Sequence, residues 1–270
     1  MPTLIPSNGG SVACATFGAS GPAIVAVPGI GDTAASYAAL APRLVAAGYT
    51  LHVMDLRGHG ASDAGFPSYT PEDVGDDLVA VLDALDLRDV TLMGSSIGGA
   101  AIAHAALRSD RVGRLVLLSA FVDDPPGFGV LRRVLPWVFA QPWGVAAWGA
   151  YRRTLFVSPP ADMARREAEV LANLREPGRL RAVRELMCAS KASIAARLAE
   201  VGVPALIAMG AQDPDFRDPA AEAQAQAARL GGASRVVMID AAGHYPHAEQ
   251  PDVTARATLD FLHQDVTRGP

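Results

Sequence analysis

The chain has 270 residues, 50% of them hydrophobic and 19% charged, with 26 glycines in no three-residue period. That composition excludes a disordered or collagen-like chain, and the length supports a core that needs neither disulfides nor metals, since a folded chain of this size hides about three quarters of its unfolded surface. A formal net charge of −5 excludes the basic field of a nucleic-acid binder.

Arginine carries nearly all the positive charge, Lys191 being the only lysine. Cys14 and Cys188 lie far apart and outside any metal-ligating spacing, so free buried thiols are expected and no metal or other cofactor is. Met1 to Phe17 lacks a basic stretch followed by an apolar run, so no signal peptide is expected. No run of about 18 apolar residues is free of charges and turn formers, so no membrane partner is expected either. The expectation is a soluble, cytoplasmic protein acting on a small molecule.

Short apolar runs alternate with longer helical patterns. Ala23 to Val27 reads as a strand ending in the turn Pro28-Gly29, and Leu40 to Ala47 as a helix stopped by Gly48. Thr50 to Met54 is the next strand. The helix Pro71 to Leu87 opens with Thr70 as N-cap and Pro71 at its first position. Val90 to Met93 is a strand, and Ile97 to Leu107 an alanine-rich helix. Leu115 to Leu118, Ala205 to Met209 and Val236 to Ile239 complete six strands, and Thr254 to Leu262 falls in the closing helix. Continuous apolar strands with helices between them imply a doubly wound, mostly parallel α/β sheet.

One region breaks the alternation. From Asp123 to Ala199 there is helical and Pro-rich sequence without a convincing strand, and it holds Trp137, Phe139, Trp143 and Trp148. Ligands bind at the carboxyl ends of strands in such sheets, so these aromatics are candidates for lining an apolar pocket, with a small core of the insertion itself as the alternative.

Gly94-Ser95-Ser96-Ile97-Gly98 is a Gly-x-Ser-x-Gly pattern centred on Ser96. It falls between a strand and a helix, as a nucleophile elbow requires, with Gly94, Gly98 and Gly99 leaving room for a sharp turn. A serine hydroxyl needs a base. His244 follows the strand Val236 to Ile239 and so sits at the same end of the sheet. His247 is its nearest rival, expected to pack or cap; His52, His59, His104 and His263 are expected in core or solvated roles. The base in turn needs a carboxylate. Asp213, directly after the strand Ala205 to Met209, is favoured over Asp215, Asp218 and Asp123. Backbone N–H groups of Ile97 and Ile30 are the candidate oxyanion donors.

These segments, together with Asp55-Leu56-Arg57-Gly58-His59-Gly60-Ala61-Ser62, resemble the α/β-hydrolase superfamily from about Ile24 to Leu262. The resemblance implies an eight-stranded, mostly parallel sheet made of residues 1–122 and 200–270. It implies a helical lid over 123–199, inserted after the sixth strand. It also implies Ser96, Asp213 and His244 as nucleophile, acid and base, with Ile30 and Ile97 as the oxyanion hole. The chain departs from the family in carrying Pro28-Gly29 where His-Gly is usual. A serine nucleophile separates it from the similar haloalkane dehalogenases and epoxide hydrolases, which use Asp. The implied activity is esterase-like hydrolysis of a small, largely apolar substrate through an acyl-enzyme on Ser96. Carbon–carbon bond hydrolysis of a diketone or dienoate, perhydrolase chemistry, or a slow-turnover receptor are its alternatives. Arg152, Arg153, Arg181 and Arg184 are candidates for binding a substrate carboxylate.

Overall fold

The computed structural model describes residues 1–266; the last four residues of the expected second core segment lie outside the described residues. Eight strands form one sheet: β1 (Thr3–Ser7), β2 (Gly10–Phe17), β3 (Ala23–Val27), β4 (Thr50–Met54), β5 (Val90–Ser95), β6 (Val112–Leu118), β7 (Ala205–Gly210) and β8 (Ser234–Ile239). Their spatial order is β1-β2-β4-β3-β5-β6-β7-β8. β1 and β2 pair antiparallel, as do β2 and β4; all other neighbours are parallel.

The six parallel strands are those read from apolar runs, and β1 and β2 are the addition. β1 keeps only Ile5 fully buried, so it has no apolar run to mark it. Asn8-Gly9, with Gly9 at φ +91°, makes the hairpin between them, and that dipeptide was the available signal.

Helices cover both faces: α1 (Ala41–Ala46), α2 (Pro71–Ala84), α3 (Gly98–Arg108), then α4 (Phe128–Val138), α5 (Gly144–Thr154), α6 (Met163–Leu174), α7 (Arg179–Cys188) and α8 (Ala192–Ala195) between β6 and β7. α9 (Pro219–Arg229), α10 (Pro246–Glu249) and α11 (Pro251–Val266) follow. Alternate residues of β3 serve opposite layers: Val25 and Val27 pack with Leu78 and Ile102, while Ile24 and Ala26 pack with Leu44 and Phe261. This period of two is the strand geometry that makes both faces apolar. The helices between β6 and β7 have a core of their own, built on Phe139, Val145, Trp148, Leu174 and Val183. No described helix is long and apolar enough to cross a membrane.

At the β1 end, a buried ion pair ties the loop after β4 to α2. The Arg57 guanidinium donates to both Asp77 carboxylate oxygens at 2.8 Å and to the Ser68 carbonyl at 2.9 Å. Both side chains are essentially inaccessible, and removing one partner would strand the other charge in the core. Asp77→Ala is therefore expected to destabilise the protein by about 3–5 kcal/mol, read by urea denaturation.

Candidate active site

The site begins with a strained turn. Ser96, between β5 and α3, has φ +56°, a left-handed backbone that costs a non-glycine residue about 1–3 kcal/mol. Three hydrogen bonds hold it there: its N–H donates to Leu118, and its carbonyl accepts from Gly99 at 3.0 Å and Phe121 at 2.9 Å. Side chains are excluded around it. A Cβ on Gly94 would lie 2.3 Å from the Gly98 carbonyl oxygen, and one on Gly99 would lie 2.3 Å from the Ala120 Cβ. The turn thus presents the Ser96 side chain above the N-terminus of α3, where backbone N–H groups and the helix dipole favour negative charge.

Parallel register brings a second turn alongside. Val27, the last residue of β3, is level with Gly94 of β5. The turn from Pro28 to Gly31 therefore leaves the sheet beside the elbow, and a Cβ on Gly29 would come within 2.9 Å of the Ser96 Cβ. Among the described residues, neither the Ile97 nor the Ile30 N–H donates to a protein acceptor.

His244 and Asp213 meet from the loops after β8 and β7. Asp213 Oδ2 accepts from His244 Nδ1 at 2.8 Å, and its Oδ1 accepts from the Asp215 N–H at 3.0 Å. With the proton on Nδ1, Nε2 is the free acceptor of the neutral ring. Burial alone would lower the His244 pKa; the hydrogen bond and charge of Asp213, with the charges of Asp215 and Glu249, outweigh it and hold the imidazole above its ordinary value. Glu249 also fixes the loop. Its carboxylate accepts from Gly243 and Tyr245 on one oxygen, and from Val157 and Ser158 on the other. The His244 N–H donates to the Leu155 carbonyl at 2.8 Å. One carboxylate thereby joins the His244 loop to the chain following α5.

Ser96, His244, Ile30 and Ile97 all line one cavity of about 250 Å³, with Asp213 behind His244. The rest of its wall is mainly apolar and comes largely from the insertion, including Phe128, Leu135, Trp148, Leu155 and Leu186. Its polar groups include Tyr151, whose hydroxyl donates to the Asp215 carboxylate at 2.9 Å, and Lys191. Burial pushes the Asp215 carboxyl above its usual range, though His244 and the Tyr151 hydrogen bond pull it back.

The structure separates the other candidates. Of Trp137, Phe139, Trp143 and Trp148, only Trp148 lines the cavity, beside the insertion's Phe128 and Tyr151; Phe139 is buried in the insertion's core, while Trp137 and Trp143 are 75% and 54% exposed. Helical spacing could not tell the inner from the outer side of α4. Asp123 pairs with Arg229 at 2.7 Å, and Asp218 caps α9. His247 is buried against Tyr37, its pKa pulled down to about 4 by burial. None of the four arginines lines the cavity: Arg152 is buried against Asp32 at 3.2 Å, and Arg153 and Arg181 pair with Glu167 and Glu185. The cation that does line it, Lys191, lies between α7 and α8 and carries no sequence motif.

A sheet of this order, with a strained serine turn and a His–Asp pair at its carboxyl edge, defines an α/β-hydrolase architecture. The chain belongs to the alpha/beta hydrolase family, whose model matches residues 24–257. It is 26% identical over 250 residues to a 2-(acetamidomethylene)succinate hydrolase from Mesorhizobium japonicum, covering 90% of this chain and 88% of that protein. A 2-hydroxy-6-oxononadienedioate/2-hydroxy-6-oxononatrienedioate hydrolase from Cupriavidus pinatubonensis is 35% identical over 117 residues, 42% of this chain and 40% of that one. Among solved structures, a hydrolase from Pseudomonas aeruginosa superposes with a TM-score of 0.79 at 27% identity, covering 97% of this chain and 98% of that chain.

The close packing of the elbow has a direct test. Gly99→Ala is expected to cost about 1–3 kcal/mol through the Ala120 clash, and adding Ala120→Gly should recover part of that loss in thermal denaturation.

Proposed function

We propose that the protein is a serine hydrolase that cleaves a carboxylic ester, or a related acyl bond, of a small substrate through an acyl-enzyme on Ser96. The observation that carries this reading is the cavity shared by Ser96 and His244, with Asp213 hydrogen-bonded to the far side of the imidazole. As the Ser96 oxygen forms its bond to the substrate carbonyl carbon, its proton passes to His244 Nε2. The oxyanion receives the N–H groups of Ile97 and Ile30, which have no competing acceptor among the described residues. Collapse of this intermediate breaks the ester bond, and the leaving alcohol takes the proton from Nε2. Water then attacks the acyl carbon and yields a proton to His244 Nε2, which passes it to the Ser96 oxygen as the acyl–serine bond breaks and the acid is released.

Asp213 holds the Nδ1 tautomer and stabilises the imidazolium formed in each step. The helical insertion acts as a lid, its apolar residues excluding water from the acyl group. The Cupriavidus relative, named for an oxo-dienedioate, favours a second reading: carbon–carbon cleavage of a dienoate by the same residues. A panel that sets p-nitrophenyl esters of graded chain length against a ring-cleavage dienoate separates the two.

Ser96→Ala is expected to lower turnover by about 10⁴-fold or more, with folding intact by circular dichroism. Retained esterase activity would remove Ser96 from the mechanism. Asp213→Asn should be far more damaging than Asp123→Asn, whose carboxylate faces Arg229 instead. His244 must be neutral to accept the proton, so kcat/KM should rise with pH through an inflection above the ordinary histidine value of 6.5. Activity is lost as pH falls through that inflection, and Asp213→Asn should move it downwards, because the largest cause raising it is gone.

A further inference from the structure

Lys191 is the only lysine in the chain, and it is 6% exposed. Ammonium groups are seldom buried unless fully paired, because desolvation is costly. Its nearest carboxylate oxygen, Asp124 Oδ1, is 3.6 Å away, beyond ordinary hydrogen-bond length. Both oxygens of that carboxylate are engaged elsewhere: Oδ1 accepts from the Lys191 N–H at 2.8 Å and Oδ2 from the Ser190 hydroxyl. Asp124 therefore braces the loop between α7 and α8 more than it satisfies the ammonium.

The ammonium lies 5.0 Å from the Phe128 ring centre and 5.9 Å from that of Phe121, and all three residues line the Ser96 cavity. Phe121 is tied to the elbow itself, its N–H donating to the Ser96 carbonyl at 2.9 Å. Among the described residues, Lys191 is the only lysine or arginine on the cavity wall. The cavity's one other charged wall residue besides His244, Asp215, is answered by the Tyr151 hydroxyl. Burial lowers the Lys191 pKa and Asp124 offsets this only in part, so an arriving anion would complete its pairing.

We propose that the substrate carries a carboxylate and that the Lys191 ammonium binds it, making this an enzyme for the monoesters, or related acyl derivatives, of small dicarboxylic acids. The proposal rests on the acyl-transfer reading above for the bond cleaved, but not for the anion site. A charge-assisted hydrogen bond in a site shielded from water contributes about tenfold to a hundredfold in binding.

The experiment compares p-nitrophenyl hydrogen glutarate with the neutral p-nitrophenyl pentanoate, which keeps the chain length but ends in a methyl group, on the wild type, Lys191→Met and Lys191→Arg. Calorimetry with glutarate runs in parallel on the same three proteins. The wild type is expected to prefer the anionic ester by about tenfold or more in kcat/KM. Lys191→Met should abolish that preference through KM of the anionic ester and should lose glutarate binding. Lys191→Arg should keep much of both. The proposal is overturned if the wild type shows neither preference nor glutarate binding. It is equally overturned if Lys191→Met slows both esters in parallel and leaves their ratio unchanged, which would make Lys191 a brace for the Asp124 loop. Failure of both esters, with no fluorophosphonate labelling of Ser96, would defeat the acyl-transfer reading alone; glutarate binding would still decide the anion site.

Discussion

Ser96 occupies a backbone conformation that its own side chain disfavours, and the surrounding sheet exists in the form needed to hold it there. Its N–H and carbonyl are bonded to Leu118, Gly99 and Phe121, so β5, α3 and the segment after β6 all converge on one residue. Close approach at Gly94 and Gly99 removes any space in which the turn could relax. Strain stored this way is kept only where neighbours over-determine the geometry. The consequence is a hydroxyl raised clear of the sheet edge at the start of a helix.

The other candidate groups come to the same side of the molecule because parallel strands end at the same edge. β3, β5, β7 and β8 deliver the Ile30 turn, Ser96, Asp213 and His244 in that order of sequence. Residues more than 200 positions apart thus share one cavity without any long loop reaching across. Glu249 adds a constraint of a different kind. By accepting four backbone N–H groups, two from each side, it makes the position of His244 depend on the end of α5. Motion of the insertion at that point would be felt at the imidazole.

The insertion sorts its apolar residues in three directions. Phe139, Val170 and Val183 face inward to its own core, Phe128 and Leu186 face the cavity, and Val130, Val134 and Trp137 of α4 face solvent. Its charges are sorted likewise. Arg153, Arg165 and Arg181 pair with neighbouring acids on the outside, Arg152 is enclosed with Asp32, and Lys191 alone is turned to the cavity wall. The cavity wall therefore comes from both halves: the sheet supplies Ser96 and His244, and the insertion supplies most of the apolar surface around them.

Local sequence determined a great deal of this. Apolar runs marked the six parallel strands, because burial on both faces leaves few polar positions within them, such as His52 in β4 and Thr91 in β5. Gly94, Gly98 and Gly99 marked the elbow, because a turn that tight excludes side chains. Strand-end placement marked Asp213 and His244. The β1–β2 hairpin went unread because an edge strand exposed along most of its length has no apolar signature, and only Asn8-Gly9 announced it. The choice among Asp213, Asp215, Asp218 and Asp123 depended on which carboxylate lies within 3 Å of one imidazole nitrogen. Trp148, and not Trp137 or Trp143, reaching the cavity depended on how a helix is rotated about its axis. Lys191 acquired its position from the packing of two rings and one aspartate around it. Composition and period report whether a residue is buried; only the assembled tertiary structure decides what it is buried against, because that depends on contacts between segments whose separation along the chain carries no information about their distance in space.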